Sequence, residues 1–373
     1  MSRCIPAALL LGVALHSHPA AADITVGLAG PITGSLSDRG SQMMLGARQA
    51  IADINAAGGL NGEMLNLLIE DDSCDPKQAI AAAEQLVNKG AVLVVGHYCN
   101  QASISASSVY SEAGVLLISP AATAPEFTDS RPSGLVFRIG PRGDKQALAV
   151  ADVIKASSNS RQGTSDSGGV VIVTNGSSID DANASILKAK LSVAPLEFRL
   201  DDRGFAPGLQ STQNQHPSFV YLTDVGALAS PFVQQYLQDG AASNVTLIIG
   251  SNDPSPNLSA YPVNYFPKST VLIAPPRLVD NPANAKLVQK FESKGAKISE
   301  DALCTYAAFQ VWFEAAGEIK STVASDVAAK MAKGKFYPPL GEVVFDDHGD
   351  LDSQPGYVAY SWVSPEAGFK GGQ

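Results

Sequence analysis

At 373 residues the chain is long enough for two domains of ordinary size, and 45% apolar with 17% charged residues is globular rather than disordered. Its 36 acidic against 26 basic residues give a formal net charge of −10, which argues against nucleic acid, whose phosphates want a basic face. The acidic balance itself reads as a solvated surface.

Residues 1–22 read as a secretory signal peptide, with Arg3 as the charged start, Ile5 to Leu15 as the apolar core and Ala20-Ala21-Ala22 as the cleavage site before Asp23. That core is too short to cross a bilayer, and no later run approaches the roughly 20 apolar residues a span needs. The expectation is export to the periplasm. Cys4 leaves with the leader, and Cys74, Cys99 and Cys304 remain.

From Asp23 the predicted elements alternate. Strand Ile24 to Leu28, helix Ser41 to Ala57 with Met44, Ala47, Ile51 and Ile54 on one face, strand Leu65 to Ile69 and helix Pro76 to Asn88 come first. Strand Ala91 to Val95, helix Ala102 to Ala113 and strand Val115 to Ile118 follow. Strict alternation implies parallel strands with right-handed crossovers, a doubly wound sheet. After Pro141-Arg142-Gly143 a second alternation begins: helix Lys145 to Ala156, a polar stretch Ser157 to Ser167, strand Val170 to Thr174, helix Asp181 to Leu191, strand Phe219 to Leu222, helix Ser230 to Gln238 and strand Thr246 to Ile249. Past Val271 to Ala274 the pattern predicts helices at Ala283 to Ser293 and Ala302 to Glu318. A final hairpin from Val343 to Ser361 would turn at Asp346-Asp347-His348-Gly349.

Three loops at the carboxyl ends of neighbouring strands would meet at one sheet edge, where open α/β sheets place ligands: Asp71 to Ala79, Gly96 to Gln101 and Ser119 to Pro125. Asn100 and Gln101 open a helix, whose free N–H groups and dipole favour an anion such as a carboxylate, with Thr123 beside them. Capping and turn formation are the structural alternative for Asn100 and Thr123. Cys74 and Cys99 lie in two adjoining loops and are expected to form a disulfide in an oxidising compartment, whereas the tight spacings of metal sites are absent. Cys304, in an apolar segment, is expected to stay a buried free thiol.

The run Asp71-Asp72-Ser73-Cys74-Asp75-Pro76-Lys77-Gln78-Ala79, the Gly96-His97-Tyr98-Cys99 loop and the Ala121-Ala122-Thr123-Ala124-Pro125 loop resemble the leucine/isoleucine/valine-binding protein family. Gly30-Pro31-Ile32-Thr33-Gly34, Gly58-Gly59-Leu60-Asn61-Gly62 and Thr305-Tyr306-Ala307-Ala308 support it. These are periplasmic receptors of branched-chain amino acid ABC transporters. The resemblance implies an α/β fold of two doubly wound parallel-sheet lobes joined by a multi-stranded hinge, crossed three times by the chain. Residues 23–141 with 275–354 would form lobe one, and 142–274 with 355–373 lobe two. It implies a monomer that takes a small-molecule ligand between closing lobes and presents it to ABC permease subunits, with no cofactor and no metal. The family's cysteine pair falls on Cys74 and Cys99. Its ligand residues in lobe one map onto Tyr98, Cys99, Asn100, Ala121 and Thr123.

Elsewhere the chain departs from the family. Asn100 replaces a serine, Arg39 stands where the first loop carries an aromatic, and Ile179 lies near a missing tyrosine. The acid that meets a ligand ammonium falls near Asn252, with Asp253 next to it, and a further aromatic position falls near Asp301. Loss of that acid and gain of a cation at Arg39 favour a small carboxylate without an α-ammonium, such as an aromatic, hydroxy or keto acid, over leucine, isoleucine or valine. An enzyme reading has little to stand on. The chain lacks G-x-S-x-G, H-E-x-x-H and phosphate-loop motifs, and no nucleophile, base and orienting acid assemble from His97, His216 and His348. A ligand sensor of the same fold and an exported hydrolase are the alternatives.

Overall fold

Apolar strands separated by amphipathic helices produce two sheets in the computed structural model, each covered on both faces. The structure describes residues 23–160, 169–192, 194–200, 217–223, 229–238, 245–256, 264, 266–293, 295–352 and 356–371. Residues 1–22, read above as a signal peptide, and most of the polar stretch Ser157 to Ser167 lie outside them.

The first sheet holds β1 (Ile24–Gly30), β2 (Leu65–Asp71), β3 (Leu93–Val95), β4 (Leu116–Ser119) and β5 (Val136–Arg138), all parallel in the order β2-β1-β3-β4-β5. Helices α1 (Ser37–Ala56), α2 (Pro76–Asn88), α3 (Asn100–Glu112) and the short α4 (Glu126–Asp129) connect its strands. The second sheet is entered through α5 (Gln146–Ser160). It contains β6 (Val170–Thr174), β7 (Leu196–Arg199), β8 (Phe219–Leu222), β9 (Thr246–Gly250) and β10 (Val271–Ala274), with α6 (Ser178–Lys190) and α7 (Ala229–Gln238). The chain then returns to the first sheet with α8 (Ala285–Glu292), α9 (Glu300–Ile319) and α10 (Ala324–Met331), and ends in the second with β11 (Val358–Ser364) and β12 (Gly368–Gly371). The second sheet's order is β12-β11-β10-β9-β8-β6-β7.

Each sheet has its own core. Val26, Leu28, Phe137, Phe309, Trp312 and Phe345 share one cluster, which brings residues from α9 and beyond onto the first sheet. Val171, Leu222, Phe232, Ile249, Leu272 and Tyr360 share another in the second. Buried side chains of this size contribute about 1.5–3 kcal/mol each, so each lobe has its own hydrophobic driving force. Helix α1 lies close along α9 because Gly46 has no side chain: a Cβ there would stand 2.1 Å from the Ala302 carbonyl oxygen. That close approach fixes Arg39, on the first turn of α1, beside Asp301, on the first turn of α9.

The observed elements correct the sequence reading in three places. The segment from Val343 to Ser361 is not one hairpin. Only an isolated Phe345–Leu351 bridge closes the Asp346 turn, while β11 pairs antiparallel with β10, more than eighty residues upstream. A local turn signal had hidden a long-range pairing, because the alternation in Val358–Ser364 fits either partner. Short strands β5, β7 and β12 were not predicted; three or four residues are too few for a period to register. In α1 the fully buried methionine is Met43 rather than Met44, and the helix starts earlier, at Ser37.

The disulfide joins Cys74 and Cys99, with Cα atoms 5.4 Å apart, and Cys304 is free. It ties the loop before α2 to the start of α3. Closing a loop of 25 residues contributes roughly 3.5 kcal/mol on the chain-entropy model. Replacing both cysteines by serine is therefore expected to lower the unfolding free energy by about 2–4 kcal/mol in denaturant titrations. Non-reducing peptide mapping should recover the Cys74–Cys99 link with Cys304 unlinked.

Candidate functional site

The loop after β4, from Ser119 to Ala124, has almost no free backbone. The Ser119 hydroxyl accepts from the N–H groups of Ala121 and Ala122 at 3.3 and 2.9 Å. The Asn100 side chain, Oδ1, accepts from Thr123 and Ala124 N–H at 2.7 and 3.0 Å. From behind, buried Arg138 donates to the carbonyls of Ala122 and Ala124 at 3.0 and 2.9 Å. The Thr123 carbonyl accepts from Gly143 N–H at 2.8 Å. Among the described residues this leaves the Ala121 carbonyl without a donor. The Thr123 hydroxyl has only a long 3.4 Å contact from Asn100 Nδ2. Asn100 is thus a strut for the loop and not a helix cap: the capping position of α3 is Cys99, and no side chain caps it. The helix N-terminus stays open to an anion.

Arg138 is itself fixed by Asp350, 2.7 Å from Nε to Oδ1, with both side chains buried. Thr128 joins them, accepting from Arg138 Nη2 at 2.6 Å and donating to Asp350 Oδ2 at 2.9 Å. Beneath the next loop, His97 and Asp72 meet at 2.5 Å with neither side chain exposed, and His97 Nε2 lies 3.2 Å from the Tyr110 hydroxyl. The Asp72 carboxylate also accepts from Cys74 N–H at 2.8 Å. Its interactions reach the disulfide loop and the Tyr98–Cys99 backbone together.

Between the two sheets lies a cavity of about 460 Å³, within the range of small-molecule pockets. Tyr98, Cys99, Asn100, Ala121 and Thr123 form its wall on the first-sheet side. Leu36, Ile139, Pro141, Pro276 and Leu340 add apolar surface. Another wall is acidic. Asp253, Glu300 and Asp301 line it with Arg39, whose Nη1 donates to Asp301 Oδ2 at 3.0 Å and whose Nη2 donates to Asp253 Oδ2. Burial opposes the Arg39 charge, but Tyr98, Asp301 and Asp253 outweigh it and raise the guanidinium's pKa. Burial pushes the Asp301 carboxyl up, partly offset by Arg39, and burial pushes Glu300 up with help from Asp253 and Asp301. The Tyr98 phenol is raised by burial and by Asp301, so it remains a neutral donor. Asp253 Oδ1 accepts from Ser255 N–H at 2.9 Å, whereas Asp301 Oδ1 accepts no hydrogen bond among the described residues.

Most residues singled out in the sequence therefore meet. Arg39, Tyr98, Cys99, Asn100, Ala121, Thr123, Asn252, Asp253 and Asp301 all line the cavity. Gln101 does not: it is exposed on the first turn of α3, facing away. Ile179 is buried but stands behind the wall, where its Cγ2 packs so near Gly143 that a Cβ there would lie 3.0 Å away. Asn252 accepts from the Tyr357 hydroxyl at 2.5 Å and is held in place by it. Sequence reasoning missed Glu300 and Lys145, which also line the cavity. Glu300, adjoining Asp301, was within reach of the same argument. Lys145, two residues past Gly143, makes no ion pair among the described residues, and nothing in its local pattern marks it.

Residues 23–362 match the family model described as periplasmic binding protein. An amino acid binding protein of Pseudomonas aeruginosa is 33% identical over 366 residues, covering 95% of this chain and 93% of the relative. The chain belongs to the periplasmic binding protein family. A Leu/Ile/Val-binding protein homologue of Brucella abortus is 31% identical over 93% of this chain and 92% of its own length. A branched-chain amino acid transporter substrate-binding protein from Streptococcus pneumoniae, solved with isoleucine, superposes with a TM-score of 0.72 over 94% of this chain and 99% of its own. At 20% identity that likeness concerns the fold. The type I periplasmic binding architecture, two parallel-dominated sheets flanking a cleft, is the one described above.

Within this periplasmic binding protein the Asn100 strut is directly testable. Replacement by Ala leaves the N–H groups of Thr123 and Ala124 without an acceptor, a loss expected to cost about 2 kcal/mol of stability. The same change should weaken ligand binding, because the Thr123 hydroxyl is no longer positioned. Denaturant titration and calorimetric binding on the same preparation check both.

Proposed function

We propose that the protein is the solute-binding component of an ABC importer. In this reading it captures a small aliphatic α-amino acid, of the leucine, isoleucine and valine class, in the cleft between its lobes. The reading rests on one arrangement. An uncapped helix N-terminus and the Thr123 hydroxyl adjoin, through Tyr98, a wall with three carboxylates and one guanidinium, and the remaining surface is largely apolar. An α-amino acid carries its carboxylate and ammonium on one carbon, so its binding groups must adjoin in this way. The carboxylate would meet the N-terminus of α3 and the Thr123 hydroxyl, and the ammonium the Ala121 carbonyl and Asp301 Oδ1. The side chain would lie against Leu36, Ile139 and the prolines.

The pairing of Arg39 changes the weight given to the ligand class. A free arginine would favour an organic acid, but this one is already engaged by two carboxylates, and the wall keeps an excess of negative charge. An unpaired anion brought there costs several kcal/mol, whereas an ammonium is favoured. The names of the Pseudomonas and Brucella relatives point the same way.

The remaining parts of the proposal follow the family. Residues 23–141 with 275–354 act as one lobe and 142–274 with 355–373 as the other. Residues 1–22 direct export to the periplasm, the protein works as a monomer without catalysis, and permease subunits in the inner membrane recognise its closed form.

In thermal-shift titrations leucine, isoleucine and valine are expected to raise the melting temperature in proportion to the logarithm of concentration, while benzoate and 4-methylpentanoate leave it unchanged. The opposite ranking would assign an organic acid and refute the amino-acid reading. Asp301→Asn should weaken the best amino acid by about 2 kcal/mol or more, through loss of a partly buried charge pair. In small-angle scattering the radius of gyration should fall on addition of the same ligand; an unchanged curve at saturation would contradict closure.

A further inference from the structure

Deepening the amino-acid reading above, on which it rests, we propose that Arg39 is a built-in counter-cation that sets the charge of the solute, admitting one ammonium and excluding a second. The acidic wall has room for two cations. Asp301 comes from the start of α9 on the first-sheet side, and Asp253 from the loop after β9 on the second-sheet side. Arg39 spans them, one guanidinium nitrogen to each, across the cleft. Glu300 lines the same wall; burial raises the proton affinity of Glu300 and of Asp301, Asp253 adds to both, and Asp301 adds to Glu300.

With Arg39 present, the Asp253 and Asp301 carboxylates share a single fixed cation, while burial raises the proton affinity of Glu300 beside them. The deficit that remains is met by one ligand ammonium. A solute with a second cationic group finds the Asp253 position taken and Arg39 itself as a repelling neighbour, at a distance where like charges interact strongly in a water-poor cleft. Without Arg39 the position is vacant, and a dibasic solute could fill both. The anion face is untouched by the change, since Asn100, Thr123 and the α3 N-terminus make no hydrogen bond to Arg39 among the described residues. The Gly46–Ala302 approach of α1 and α9 sets the backbone from which Arg39 projects, and its two ion pairs place the guanidinium between Asp301 and Asp253.

The structure also gives a readout independent of ligand. The groups acting on Arg39 are Tyr98, Asp301 and Asp253, with Glu300 on the same wall and Cys304 beside Tyr98. A carboxyl whose pKa is raised on folding holds its proton to higher pH in the folded state. It therefore destabilises the fold as pH rises from the unfolded value through the folded one. Arg39 pulls Asp301 down against that trend. Removing it is expected to be nearly neutral near pH 4, where the carboxyls take up protons, and increasingly destabilising toward pH 7.

The test compares wild type, Arg39→Ala and Arg39→Lys with leucine, ornithine and benzoate by calorimetry. Wild type should prefer leucine to ornithine. Arg39→Ala should shift that ratio toward ornithine by tenfold or more, and Arg39→Lys, which restores a cation, should return it to near the wild-type value. The shift should shrink in high salt, which screens a charge effect and not a steric one. Whichever solute the wild type binds, Arg39→Ala must move the preference toward the more positively charged member of the panel. Thus a wild type that binds benzoate alone refutes the amino-acid reading, and the direction of the Arg39→Ala shift still decides this assignment. Equal weakening of all ligands, a lysine variant that behaves like alanine, or a wild-type-minus-Ala melting difference that is flat between pH 4 and 7 would overturn it.

Discussion

The buried contact between Arg138 and Asp350 is the constraint on which the binding wall depends. A guanidinium with no exposed side chain is stable only if its donors are used, and here they reach Asp350, Thr128 and the carbonyls of Ala122 and Ala124. In return the loop after β4 has its carbonyls pinned from beneath while Ser119 and Asn100 hold its N–H groups from the sides. A loop in this condition does not adapt to a solute; it offers one hydroxyl and one carbonyl in fixed positions. Asp350 reaches this place only because the chain returns from the second sheet to the first, and the tight Asp346 turn aims it inward, with Asp346 Oδ1 accepting from the N–H groups of His348 and Asp350.

The opposite wall is built on another principle. Its acidic groups are partly buried, come from both sheet sides, and are partly offset by one arginine. Rigid hydrogen bonding on one side and a balance of charges on the other would, in the proposed reading, divide the work of recognition: the first would fix where a carboxylate lies, and the second how much positive charge accompanies it.

Much of this was legible in the amino-acid sequence, and the limits have physical causes. The repeating strand and helix pattern carried the two sheets, because each βα unit is local and its period is read within a dozen residues. Cys74 and Cys99 could be paired from their places in adjoining loops. Arg39 was recognisable as unusual, but its partners are 214 and 262 residues away, and no local pattern reports which acids it will meet. That Asp253 and Asp301 converge on Arg39 beside Asn252 could not be read locally either. Asn100 opens a helix and so suggested a cap, yet the side chain turns instead to the neighbouring loop, a choice set by tertiary contacts. The antiparallel pairing of β11 with β10 was missed for the same reason, since its partner strand lies beyond any window of local pattern.

The order of the elements has a mechanical consequence. Between β5 and α5, between β10 and α8, and again before β11, the chain passes from one sheet to the other, so three connections link the two sheets. Three parallel flexures bend easily together about a line through them, yet resist both sliding and twisting, since either would stretch one ribbon against the others. The relative position of the proposed lobes would then be described by essentially one angle. If closure follows that single coordinate, Asp253 would move on an arc toward or away from Arg39, and the state of the whole molecule would be legible in the length of one ion pair.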